Sequence, residues 1–333
     1  MIKAFVLGKF LPFHKGHEAL IRFALAQCDF LSVLVCCSEK EAITGCVRKN
    51  WIIQTVNEPD KIEVLIFNYN ETELPNKSET SFEVSKVWSS VLKELYPDFS
   101  LLITSEPYGY IVADLMKINH LAFDPGREAV PVSGSQIGED IFSNWNFLPD
   151  SVKHDFAIKV VIAGTESTGK TTLANMLASH YNCSLVKEAG RDLIPDSKEF
   201  SFQDLLLVAE THSRGINEAV NGNSPLIIMD TDVYTTISYS RFVFNKDLTV
   251  SDLIYNMNKS ELCLYLNNDV AYFQDGTRLE EFRRNQLDYS HRQVLKEHGI
   301  EIAEIRGDWQ MRFDKAVFEI DQLCSKRKRL QLR

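Results

Sequence analysis

Eight consecutive residues constrain this chain more than any others: Gly164, Thr165, Glu166, Ser167, Thr168, Gly169, Lys170 and Thr171. They satisfy G-x-x-x-x-G-K-[ST], with an apolar run at 157–163 before them and helical spacing over 170–181 after them. The glycines let the backbone curl, so that its N–H groups and the helix N-terminus face the phosphates of ATP. Lys170 adds a positive charge at the β- and γ-phosphates, and the Thr171 hydroxyl can ligate Mg²⁺. Thr172 continues the helix beside the same phosphates. A chance glycine turn would not carry this strand–loop–helix setting.

A strand leading into a loop and helix belongs to an α/β architecture, and the rest of the chain agrees. Apolar runs at 2–7, 30–36, 62–67 and 101–104 predict buried parallel strands in the first half. Between the last two, Thr80 and Glu83 form a capping box. Val84, Val87, Trp88, Val91, Leu92 and Leu95 then recur at helical spacing as a core-facing stripe. The pattern restarts at 157–163 and continues with apolar runs at 226–229, 262–266 and 300–305. The expected fold is α/β, two doubly wound parallel sheets. Pro149, Asp150 and Ser151 mark the boundary, giving domains 1–150 and 151–333.

The 333 residues suffice for two cores, and 44% apolar with 25% charged residues is a soluble globular composition. No run approaches the roughly 20 apolar residues of a membrane span, and the first residues read as a core strand rather than a signal peptide. A cytoplasmic location without membrane contact is expected. Seven cysteines without a C-x-x-C pair indicate neither a zinc site nor a disulfide framework, and adjacent Cys36 and Cys37 read as buried thiols. A net charge of −10 argues against non-specific nucleic-acid binding. Lys326, Arg327, Lys328 and Arg329 read as a solvated helix end rather than a basic tail.

Other second-half residues fit a phosphoryl-transfer site. The run 226–229 ends in Asp230, where a protein with such a loop holds Mg²⁺. Asp232 is a second candidate carboxylate, and it could equally cap the next helix. Glu188 and Arg191 follow a strand expected at 185–187. There a carboxylate could take a proton from a substrate hydroxyl and an arginine could orient the substrate; a surface ion pair fits as well. Arg278, Arg283 and Arg284 suit a closing lid or a solvated arginine-rich helix.

The first half has its own loop. Gly8, Lys9, Phe10, Leu11, Pro12, Phe13, His14, Lys15, Gly16 and His17 join a strand to a helix. No third or fourth metal ligand lies at useful spacing, whereas imidazoles at a helix N-terminus suit phosphate hydrogen bonding. GKFLPFHKGH resembles the G-x-F-x-P-x-H-x-G-H motif of nicotinamide-mononucleotide (NMN) adenylyltransferases. Followed by a phosphate-loop kinase, it resembles the NadR family, which joins that activity to ribosylnicotinamide kinase. The segments Thr104 to Gly109, Phe123-Asp124-Pro125 with Arg127, and Pro131 to Ile137 resemble family segments. So do KEAGRDL, MDTD and NNDV with DGTR in the second half, so the resemblance spans roughly residues 1–320.

It implies a Rossmann-like nucleotidyltransferase domain followed by a kinase domain. The ligands implied are ATP, Mg²⁺, nicotinamide riboside, NMN and NAD, with no nucleic-acid partner and a homo-oligomeric state. It assigns catalysis to His14, His17, Lys170, Glu188 and Asp230. Nucleotide binding falls to Gly8, Lys9, Phe10, Lys15, Gly16, Ser133, Ser135, the loop 164–172 and Arg278, and substrate binding to Arg191 and Asp232. Two departures stand out. NadR proteins of enteric bacteria open with a helix-turn-helix domain, whereas Met1 here leads straight into a strand, so no repressor role is expected. The family's I-S-x-T-x-x-R motif ends in a phosphate-gripping arginine, and this chain has Gly138 there. Lys15, Arg48, Lys49 and Arg127 are cations that could compensate. The alternatives are a kinase with a nucleotide-sensing first domain, a kinase for another nucleoside, and a regulatory ATPase.

Overall fold

The structure is a computed structural model that describes residues 1–75, 81–194, 200–269 and 281–331. It comprises two compact units, Met1–Asp155 and Phe156–Leu330. Both are doubly wound parallel α/β sheets.

In the first unit, β1 (Lys3–Gly8), β2 (Phe30–Ser38), β3 (Ile62–Tyr69), β4 (Leu101–Thr104) and β5 (Asn119–Ala122) pair in the order β3-β2-β1-β4-β5. Each pairing is parallel. The helices are α1 (Lys15–Leu25), α2 (Gly45–Val56), α3 (Phe82–Leu95), α4 (Tyr108–Met116), α5 (Gly134–Glu139) and α6 (Asp150–Phe156). From Leu31 to Cys37 every residue of β2 is buried, as expected of a strand covered on both faces. Burial pushes the Cys36 thiol up to about 12. Strand order reverses between β1 and β4, and the loops leaving these two strands open the crevice in which such sheets bind ligands. The edge strand β5 carries no apolar run, so nothing in its sequence predicted it.

The helix expected after residue 80 exists, but its buried face differs from the expected one. Ser85, Ser89 and Leu92 are buried, while Val87 and Leu95 point outward. Small serines let α3 lie close to α4, and this turns the helix relative to its most apolar line. Thr80, half of the expected capping box, lies outside the described residues; Ser81 occupies the N-cap position.

The expected boundary at 149–151 falls at the start of α6, which belongs to the first unit. Trp51 Nε1 donates to Asp155 Oδ2 at 2.6 Å, and Thr55 and Ser151 share a hydroxyl hydrogen bond of 2.8 Å. These bonds attach the segment to α2.

In the second unit, β6 (Ile158–Ala163), β7 (Ser184–Val186), β8 (Leu226–Asp230), β9 (Leu262–Leu266) and β10 (Ile302–Ile305) pair in the order β10-β9-β6-β8-β7, all parallel. Its helices are α7 (Lys170–Tyr181), α8 (Ala189–Leu193), α9 (Phe202–Val220), α10 (Val233–Phe244), α11 (Asp252–Asn258), α12 (Glu281–Glu297) and α13 (Trp309–Gln331). The central strand β6 delivers the chain into the glycine loop. Asp230 lies in register with Ile162, so the end of β8 reaches that loop. Lys326 and Arg327 lie on α13, and Arg327 pairs with Glu261 at 3.0 Å. No helix among the described residues is long and apolar enough to cross a membrane.

Candidate active sites

In the second unit the loop 164–171 takes the backbone form that its glycines permit. Gly164 has φ 135°, and a Cβ there would meet Leu266 O at 2.6 Å. Gly169 has φ 91°, and a Cβ there would strike the Trp309 ring. Side chains would be both strained and crowded at these two positions. Ser167 completes the curl at φ 61°. Thr168 Oγ1 donates to Thr165 O at 2.8 Å, and Lys170 Nζ bends back to the same carbonyl at 3.0 Å. Lys170 therefore hangs over the loop, where a phosphate chain would lie.

Thr171 Oγ1 donates to Asp230 Oδ2 at 2.6 Å. Asp230 Oδ1 is buried without a hydrogen-bond partner, and burial raises the carboxyl pKa against the opposing Lys170 charge. A hard divalent cation suits this pair, since one carboxylate, one hydroxyl and phosphate oxygens are the donors that Mg²⁺ takes. The second carboxylate goes elsewhere. Thr231, at φ 74°, turns the chain after Asp230. Asp232 then caps α10, accepting from Thr235 N at 2.9 Å and Thr235 Oγ1 at 3.0 Å.

Beyond the loop opens a cavity of about 640 Å³, a size that suits a nucleoside-scale ligand. Glu166, Ser167, Gly169, Lys170, Thr171 and Thr172 line one side, and Glu188 and Arg191 line another. Glu188 occupies the N-cap position of α8 without a side-chain capping bond, and Arg191 pairs with it at 3.3 Å. The pair is thus an ion pair on the wall of the cavity rather than on open surface. Arg283 and Arg284 lie on α12: Arg283 sits 5.3 Å from the Phe242 ring centroid, and Arg284 is buried. Arg278 and the DGTR segment lie outside the described residues.

Sequence reasoning missed several residues here. Tyr239 lines the cavity and donates to Glu166 Oε1 at 2.8 Å; burial and that carboxylate raise its pKa well above the ordinary value. His291, on α12, packs 5.5 Å from Tyr239, and burial with the Lys170 charge pushes it down to about 3. Buried His212 of α9 and half-exposed Trp309 also line the cavity. Thr235 lines the cavity too, four residues from Tyr239 on α10.

In the first unit, β1 ends at Gly8 and Phe10 turns the chain at φ 49°. Phe10 and Phe13 bury their rings, which fixes the turn beneath α1. His14 caps α1, its Nδ1 accepting from Gly16 N at 3.1 Å. In the neutral ring Nε2 then carries the proton. The His14 and His17 rings stack with centroids 3.7 Å apart. Burial first, then the Arg127 charge, lowers His14 to about 4; burial and His14 lower His17 well below its ordinary value. Both are neutral near pH 7. His14 Nε2 and His17 Nδ1 are buried without hydrogen-bond partners. Such atoms cost free energy unless something pairs with them.

Ser133 caps α5 in a reciprocal capping box with Gln136, and a Cβ on Gly134 would lie 3.7 Å from His14 Nε2. Ser135 is exposed on the same helix. Nothing lies within 4 Å of where a Gly138 Cβ would be. Lys9 pairs with Glu41 at 3.0 Å. Arg48 is fully buried; it pairs with Glu41 at 2.7 Å and donates to Lys9 O, Cys36 O and Ile43 O. Lys15 opens α1, exposed, beside Gly16.

A family profile described as an AAA domain matches residues 159–312. Two curated relatives are the trifunctional NAD biosynthesis/regulator proteins NadR of Escherichia coli (strain K12) and Salmonella typhimurium (strain LT2). Each is 27% identical to this chain, over 344 and 342 residues, covering 94% of this chain and 81% of the relative. A crystal structure of NadR with NAD and AMP-PNP superposes with a TM-score of 0.64 at 19% identity, covering 97% of this chain and 96% of the other. One of NadR with NR gives 0.66 at 20%, covering 96% and 95%. At such identities the superpositions establish the shared fold.

Proposed function

We propose that this chain makes NAD from nicotinamide riboside and ATP in two steps. The second unit transfers the γ-phosphoryl group of ATP to the riboside hydroxyl, giving NMN and ADP. The first unit joins NMN to ATP: an NMN phosphate oxygen attacks the α-phosphorus, and pyrophosphate leaves as NAD forms. The observation that carries this reading is the pairing, in one chain and in NadR order, of a phosphate loop facing a nucleoside-sized cavity with two unpartnered imidazoles on a strand–helix turn.

In the first reaction Glu188 takes the proton of the attacking hydroxyl and Arg191 orients the riboside. Lys170 and the loop N–H groups hold the phosphates. Asp230 and Thr171 would hold Mg²⁺, which supplies charge neutralisation on the β- and γ-phosphates when bound. In the second reaction the attacking phosphate is already ionised at neutral pH, so no base is needed. His14 donates from Nε2 to a phosphate oxygen, and catalysis rests on positioning and charge stabilisation.

A coupled assay with pure protein tests both steps. Riboside plus ATP is expected to give NMN and then NAD, and NMN plus ATP is expected to give NAD and pyrophosphate. NMN that accumulates without NAD would reduce the first unit to a nucleotide-sensing module. ATP hydrolysis indifferent to any nucleoside would replace the kinase by a regulatory ATPase.

A further inference from the structure

We propose that Arg127 supplies the positive charge that grips the nucleotide phosphates at the His14–His17 site. The inference rests on the adenylyl-transfer reading above. Two neutral imidazoles can donate hydrogen bonds to a phosphate chain but cannot balance its charge, so the site needs a cation from elsewhere.

Most of the cations near the turn are committed. Lys9 pairs with Glu41, and Arg48 is fully buried, spending its guanidinium on the same carboxylate and on backbone carbonyls. Lys15 lies exposed on the first turn of α1, near enough to Lys153 to disfavour that lysine's charge.

The segment that carries Arg127 is built onto the turn. The Asp124 carboxylate accepts from the backbone N–H groups of Glu128, Ala129 and Val130 at 2.7, 3.1 and 3.3 Å, closing a tight loop. Arg127 sits within it at φ 53°. Val130 lies 3.8 Å from where a Gly16 Cβ would be, and Gly134, a few residues on, faces His14 Nε2. The loop is thereby pinned against the N-terminus of α1. Arg127 then reaches back to Glu106, after β4, at 2.9 Å. That places it between the loops leaving β1 and β4, at the point where strand order reverses. Its charge is felt at His14. The pair with Glu106 is half-exposed on both sides, so exchanging that carboxylate for a phosphate costs little.

The test uses the full chain. Arg127→Asn removes the charge with a residue that tolerates left-handed backbone, and Arg127→Lys keeps it. Adenylyl transfer is measured from NMN and ATP. Histidine ¹⁵N resonances of His14 and His17 are titrated with ATP, which reads binding at this site whatever the second unit binds. The Asn variant is expected to lose about 10²-fold in kcat/KM and to bind ATP at least tenfold more weakly. The Lys variant should recover most of both, and Gly138→Arg should partly rescue the Asn variant, which a misfolded protein could not show. ATP binding that depends on Arg127 in a chain that forms no NAD would end the reaction reading and leave this proposal standing. Unchanged binding and turnover in Arg127→Asn would overturn the proposal with the reaction intact, and so would histidines in the parent chain that do not respond to ATP.

Discussion

At the residue scale, burial removes the charge of several histidines. His14 titrates at about 4 in the folded chain against an ordinary 6.5. Between those values the unfolded chain takes up a proton that the folded chain refuses. Stability from this residue is therefore complete above pH 6.5 and lost as pH falls toward 4. His17, His212 and His291, also shifted down, act in the same direction. Denaturation followed by tryptophan fluorescence from pH 7 to 4 is expected to show this loss; Trp51, Trp88 and Trp145 report on the first unit. His14→Asn should remove up to about 3 kcal/mol of it. In the second unit, Glu188→Gln keeps shape and hydrogen bonding but cannot accept a proton. Riboside phosphorylation is expected to fall by roughly 10²- to 10³-fold in kcat with the KM for ATP nearly constant. An unchanged kcat would move the base to another group.

Among the elements, the phosphate loop depends on a helix that no motif marks. Trp309 opens α13 against Gly169, and one turn on, Arg312 is wholly buried. Its guanidinium donates to Thr168 O at 2.8 Å, Gly307 O at 2.8 Å and Asn267 O at 3.1 Å, and pairs with Asp269. One side chain thus ties the loop to the ends of β9 and β10. Arg312→Met would leave those carbonyls buried and unpaired, which costs about 3 kcal/mol. Calorimetry should show the unfolding of the second unit falling by about 10 °C, with a raised KM for ATP. A melting temperature within 2 °C of the parent, on the order of measurement scatter, would mean that the loop holds itself. Helix α3 gives the opposite lesson: its apolar spacing predicted the helix but not its buried face, because Ser85 and Ser89 allow a close approach that hydrophobicity alone does not reveal.

For the whole molecule, the division after Asp155 makes α6 part of the first fold. A fragment of residues 1–156 is expected to fold, whereas one ending at residue 149 loses the Trp51–Asp155 and Thr55–Ser151 bonds and buried Val152. The shorter fragment should melt about 10 °C lower. Equal melting temperatures would return the boundary to residues 149–151. The two loops, the strands on either side of them and both parallel sheets were legible from residues in succession. A glycine loop, a helix start and a doubly covered strand each write their geometry into consecutive positions. What only the tertiary structure decided was which distant side chains meet. Tyr239 at Glu166, Arg312 behind Thr168 and Arg48 on the Lys9 carbonyl are bonded across 39 to 144 residues. Sheet order brings them together, and no local spacing encodes it. In sequence Asp232 is a second candidate carboxylate beside Asp230, or a helix cap; a single left-handed residue between them sends Asp230 to the phosphate loop and Asp232 to the cap of α10.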